Sequence, residues 1–261
     1  MVALTACALQ PTPVPPTIDP NATPKYRLMT TDPSRLIWNP NKPEQVLSAE
    51  QLKSIYNNIP ITEVDYCTNR VSEFLTPEGL AVKTLDIAYK LNESEEITLR
   101  YYLSSTYTKT GYDGDLTLIN TENGVASFNL FIRQNNLNFM IAAIRQECAH
   151  GIQKADLIKY LIANWGLRLE DTVGMINLAE NGMLQLPEFK YAAEALPNKL
   201  TYESLYTTLG SNMTQIFPQG SVGRYISEEY LKIFNNSNLS TQEQNQQWET
   251  VVNNAYSGNI H

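Results

Sequence analysis

The chain has 261 residues and a net charge of −8. An acidic chain without an Arg/Lys cluster offers no basic face for phosphates, which argues against nucleic acid as a partner. A hydrophobic content of 43% and a charged content of 18% fit a globular protein with a real core, and no run of about 18 apolar residues provides a transmembrane helix.

The N-terminus carries the first signal. Leu4-Thr5-Ala6-Cys7 resembles a bacterial lipobox, the tetrapeptide cut before a cysteine that then receives lipid. Pro11, Pro13, Pro15, Pro16, Pro20 and Pro24 follow. A stretch of that composition cannot bury enough surface to fold and serves as an extended spacer. The resemblance implies a lipid anchor at Cys7, a tether over residues 1–24, and an extracytoplasmic, membrane-anchored lipoprotein of the bacterial cell envelope. A plain disordered start is the alternative, because no basic segment and no full apolar stretch precede Cys7.

Residues 25–261 read as a single α+β domain, strand-rich over 25–134 and helical over 135–261. Ser48-Ala49-Glu50-Gln51 is a capping box that opens a helix over 49–57. Residues 64–74 are ambiguous. Strands are expected over 80–91, 97–107, 116–120 and 126–133, from alternation and from β-branched and aromatic content. Tyr112 to Asp115 reads as a turn. Asn123-Gly124 marks a hairpin between the last two strands. Together these form an expected antiparallel sheet of about four strands.

After Gln134 the apolar period changes to three and four. Helices are expected over 138–154, 155–164 and 169–180, the last stopped by Asn181-Gly182. Pro187 opens one over 188–195. Thr201 caps one over 202–209, another runs from Ser221 or Val222 to Phe234, and Ser240 to Glu243 is a second capping box that opens the last, to about Tyr256. Cys67 and Cys148 read as two buried thiols, with a disulfide as the alternative in an oxidising compartment.

The helix over 138–154 contains Gln146-Glu147-Cys148-Ala149-His150. In H-E-x-x-H, the two His at i and i+4 share a helix face and reach one zinc, and the Glu activates the metal-bound water. This segment, preceded by a sheet and followed by helices, resembles the zincin metallopeptidases, particularly the gluzincin type. The resemblance implies Glu147 as catalytic base, His150 as a zinc ligand, and Glu170 or Glu194 as the further ligand. Gln146 stands where the family has its first His, and a carboxamide is a poor zinc ligand. His150 and His261 are the only histidines, so no internal one compensates.

The expected protein is therefore a catalytically degraded, metallopeptidase-like lipoprotein. It acts by binding or scaffolding, with no cofactor, or with zinc if the site is still competent. Its partners are the membrane, through the anchor, and other envelope proteins or peptides. The alternatives are an active zinc metallohydrolase with an atypical site, and a structural subunit of an envelope assembly with an unrelated fold.

Overall fold

A computed structural model describes residues 26–29, 31–106 and 114–258. Cys7 and the tether, Tyr107, Tyr112 and Asp113 of the expected turn, and His261 lie outside them. The chain is α+β, with strands first and helices after.

The described chain opens with a small antiparallel sheet of β1 (Arg27–Leu28), β2 (Ile37–Asn39) and β3 (Lys42–Leu47). The expected capping box is formed: Ser48 accepts from the Gln51 N–H and Gln51 reaches back, opening α1 (Ala49–Asn57). The ambiguous segment is helix α2 (Ile61–Ser72), whose Val64, Cys67, Thr68 and Val71 are buried at three- and four-residue spacing. A two-stranded ribbon of β4 (Leu75–Thr76) and β5 (Gly79–Leu80) follows.

The main sheet contains β6 (Lys83–Lys90), β7 (Glu96–Ser104), β8 (Gly114–Glu122) and β9 (Val125–Ile132), in the order β6-β7-β9-β8. Both outer pairs are antiparallel, but the central pair β7–β9 is parallel, with Leu99 opposite Ala126 and Tyr101 opposite Phe128. The sheet is thus mixed. Alternation along a strand fixes which face is buried and says nothing about the partner's direction. Asp115, expected in a turn, belongs to β8. Asn123 and Gly124 both have positive φ (52° and 77°), the geometry of the expected hairpin turn.

Leu85, Ile87 and Tyr89 of β6, Leu99, Tyr101 and Leu103 of β7, and Phe128, Leu130 and Ile132 of β9 are buried on one face. The opposite face carries the Arg100–Asp86 ion pair at 2.7 Å, along with Tyr102 and Phe131.

The buried face packs under α3 (Leu137–Trp165), one 29-residue helix where two shorter ones are expected. Asn136 caps its start by accepting from the Phe139 N–H, and Gly166, at φ 62°, ends it. Lys154 interrupts the apolar pattern without ending the helix, because its ammonium finds a carboxylate on the next one.

α4 (Leu169–Leu184) runs past the expected stop at Asn181-Gly182. Gly182 is there for contact: a Cβ on it would sit 2.5 Å from Leu28 and 2.8 Å from Leu36 side-chain atoms. The helix expected over 188–195 is a set of turns ending in a 3₁₀ turn at Ala192–Glu194. α5 (Ala195–Leu209) starts earlier than expected, so Thr201 lies inside it. α6 (Val222–Phe234) is capped by Ser221, and the second capping box opens α7 (Thr241–Ser257) as expected.

The largest apolar cluster joins the sheet to α1–α4. A second one, built on Tyr202, Met213, Tyr230 and Trp248, holds the last helices together.

Cys67 of α2 and Cys148 of α3 are bonded, which corrects the expectation of two separate thiols. Both are fully buried, and their Cα atoms lie 5.8 Å apart, within the range a disulfide spans. A sequence separation of 81 hid the meeting of these two helix faces.

Candidate functional site

α3 passes between the disulfide on one side and a cleft of about 400 Å³ on the other. Cys148 points to α2. Its neighbours Gln146, Glu147 and His150, with Gln153 and Lys154, line the cleft. The spacing is helical: positions 146, 150 and 153–154 share a face, and 147 lies at its edge.

Glu147 is 5% exposed. Its carboxyl lies against the first residue of β8, where a Cβ on Gly114 would come within 2.6 Å of Oε1. Any side chain at 114 would collide with the carboxyl, so the close approach of strand and helix depends on glycine there. Burial pushes the Glu147 carboxyl up to about 7; the His150 and Lys154 charges oppose this, and the Glu194 and Asp115 carboxylates add to it.

The protonation of His150 follows from its neighbours. Gln153 Nε2 donates to the carbonyls of Tyr56 (3.1 Å) and Ala193 (2.9 Å). That fixes Gln153 Oε1 as the atom 2.9 Å from His150 Nδ1, so Nδ1 carries a hydrogen. Nε2 faces Glu194 Oε2 at 3.4 Å. Burial works against a charged ring, but the Glu194 carboxylate, its hydrogen bond and the Glu147 carboxyl outweigh it and push His150 up to about 9. Near neutral pH both ring nitrogens are donors. Glu194 answers in kind: burial would raise its carboxyl, but His150, Lys154 and the Asn198 amide (3.3 Å) hold it below the ordinary value.

Of the two carboxylates expected as the further ligand, Glu194 is in the cleft and Glu170 is not. Glu170 is exposed in the first turn of α4, beside the end of α3. Fifteen residues of helix separate His150 from Trp165, a distance of roughly 22 Å. Glu180 is the carboxylate that α4 brings back. It pairs with Lys154 and accepts from Tyr56 Oη at 2.9 Å. Counting outward from Leu167, between the two antiparallel helices, Lys154 and Glu180 are level. A helical hairpin drawn from the sequence would have found this pair.

Gln146 turns toward α5, where its side-chain amide lies 3.2 Å from Thr201 Oγ1, a hydroxyl that donates to the Pro197 carbonyl at 2.9 Å. The zinc implied by the zincin resemblance does not fit the donors present. Among the described residues no group of three or more His, Cys, Asp or Glu side chains is arranged to hold a metal. One imidazole and one carboxylate, satisfied against each other, fall short of the three protein ligands of a catalytic zinc site. The cleft can bind polar groups and hold a proton at Glu147.

The cleft lining also includes aromatic and apolar side chains. Tyr191 and Tyr256 face each other with centroids 5.5 Å apart, and Tyr191 Oη donates to the Tyr256 carbonyl at 2.9 Å. Leu184 and Tyr256 both line the cleft and are 49% and 41% exposed. Among the described residues no helix is long and apolar enough to cross a membrane. Comparison with protein-family models, with curated proteins and with solved structures found no match.

Proposed function

We propose that this chain is a lipid-anchored protein of the bacterial cell envelope, built on a zincin-like domain whose metal site has degraded. It acts by binding envelope proteins or peptides in the cleft under α3. The observation that carries the reading is the meeting of Glu147, His150 and Glu194 in one cleft. Under the zincin resemblance these are the base, the second ligand and the third ligand. Gln146 occupies the remaining position, with its amide at Thr201. The order of elements agrees with it: an edge strand, β8, borders the cleft, and the motif-bearing helix follows the β8–β9 hairpin.

Replacing Gln146 by His tests the ancestry. The Gln146→His protein should acquire about one zinc per chain, lost again in Gln146→His/Glu194→Ala. No gain of zinc by Gln146→His would overturn the reading. Metal analysis of the unaltered protein separates it from an active metallohydrolase with Glu147 as base, since tightly held zinc there would favour the enzyme. The anchor has its own test: acyl labelling should disappear in Cys7→Ser, and a soluble, unlabelled wild-type product would remove the envelope assignment.

A further inference from the structure

The cleft contains four carboxylates, and three of them are engaged. Glu180 holds Lys154 and Tyr56. Glu194 holds His150 and Asn198. Asp115 takes a 3.5 Å contact from Thr117 Oγ1 and has further interactions. Glu147 is different. It is 95% buried, and no group of the described residues hydrogen-bonds its carboxyl; the charges that act on it do so at a distance.

Its carboxyl lines the cleft and is therefore open to a partner from a ligand. The surroundings of Glu147 select what could supply one. A metal finds too few donors. The His150 and Lys154 charges near it are already paired with Glu194 and Glu180, and an anion would meet the Glu147 carboxyl itself. A compact group with several N–H donors and a positive charge suits it. The Gly114 backbone closes one side of the carboxyl and favours a small head. Leu184, Tyr191 and Tyr256 line the same cleft, and Leu184 and Tyr256 are also exposed to solvent. These side chains offer contact to an apolar stem, and the tyrosine faces are themselves attractive to cations. The Lys190 ammonium already lies 5.1 Å from the Tyr191 ring centroid.

We infer that the cleft binds a primary ammonium group on an apolar stem, with the ammonium on Glu147 and the stem against Leu184, Tyr191 and Tyr256. The inference rests on the binding role proposed above and names the chemistry of its ligand. A peptide amino terminus, a lysine side chain and a free alkylamine all present this group.

Titration calorimetry with the full-length protein distinguishes them. The three probes are leucyl-phenylalanine amide with a free amino terminus, Nα-acetyl-lysine amide, and n-hexylamine, each compared with its N-acetylated counterpart. At least one free amine should bind, and acetylation should weaken it by about tenfold or more. Glu147→Gln should weaken the same probe by a similar factor, and Tyr256→Ala should weaken it through the stem. The free-against-acetylated comparison uses the unaltered protein, so it stands even if a variant misfolds. Equal binding of free and acetylated probes overturns the inference, as does unchanged binding by a folded Glu147→Gln protein, or no binding of any probe at millimolar concentration. The zinc test of Gln146→His is independent. Zinc gain without amine selectivity leaves the ancestry standing and removes the ligand; amine selectivity without zinc gain does the reverse.

Discussion

Gly151 on α3 and Tyr101 on β7 meet where the long helix crosses the sheet, and their contact predicts a change of sign in a double-mutant cycle. Tyr101 is fully buried and stacked on Phe128 at 5.3 Å, so its ring cannot swing aside. Among the described residues its hydroxyl has no hydrogen-bond partner. A Cβ on Gly151 would lie 2.6 Å from that oxygen, and 3.4 Å from the nearest ring carbons. In the wild-type background Gly151→Ala therefore overpacks the interface, at about 1–3 kcal/mol. The gain from replacing a helix-interior glycine, about 1 kcal/mol, offsets part of this. The net effect is a destabilisation of roughly 0–2 kcal/mol. In the Tyr101→Phe background the clashing oxygen is gone and only ordinary contacts remain, so Gly151→Ala should stabilise by up to about 1 kcal/mol. Tyr101→Phe alone should be neutral or stabilising, because it deletes a buried, unsatisfied hydroxyl. Urea unfolding of the four oxidised proteins, followed by circular dichroism, gives the coupling. Equal effects of Gly151→Ala in both backgrounds would refute the reasoning, as would a loss of more than about 1 kcal/mol in Tyr101→Phe.

Three further outcomes follow from the site and its supports. Removing the disulfide by Cys67→Ala/Cys148→Ala frees a loop of 81 residues in the unfolded chain, and the chain-entropy relation puts the loss at about 4–5 kcal/mol; unchanged urea midpoints would contradict a stapling role. The raised His150, at about 9 against an ordinary 6.5, contributes stability that is complete below 6.5 and is lost as pH rises toward 9. The raised Glu147, at about 7 against 4.5, acts in the same direction, its contribution being lost between about 4.5 and 7. Thermal midpoints should therefore fall from pH 6.5 to 9, and His150→Gln should flatten that decline; a slope unaffected by the substitution would show that the Glu194 pairing is not its source. Gly114→Ala should push the Glu147 carboxyl from its seat and weaken amine binding by about tenfold, with hexylamine titration as the check.

Local signals were legible wherever chemistry acts within a few residues. The Ser48 and Ser240 capping boxes, the Asn123-Gly124 turn and the four main strands follow from short-range hydrogen bonding, backbone preference and alternation. What depends on which surfaces meet was not legible. Strand patterns could not reveal that β9 lies between β7 and β8, or that β7 and β9 run parallel. Gly182 looks like a helix stop in sequence, but it is a contact point for Leu28 and Leu36. At the cleft, the near-motif singles out Glu147 and His150, and the zincin resemblance implies Glu170 or Glu194 beside them; the structure brings Glu194 next to His150. Glu170 was misplaced and Glu180 missed, because choosing between them requires the return path of α4. The disulfide was hidden for the same reason: hydrophobic periodicity buries Cys67 and Cys148 without saying that they face each other.

The covalent link between those cysteines has a consequence for proteolysis. The span it closes contains both β4–β5 and the whole main sheet, together with the exposed turn between β6 and β7. A protease cutting once at that turn, near Glu93, would sever the backbone without releasing a fragment. Such a molecule would migrate as one species until reduced and as two afterwards. Gly114 and Glu147 both lie on the same side of that cut, so the clipped protein would keep the strand and helix that frame its cleft on one continuous chain.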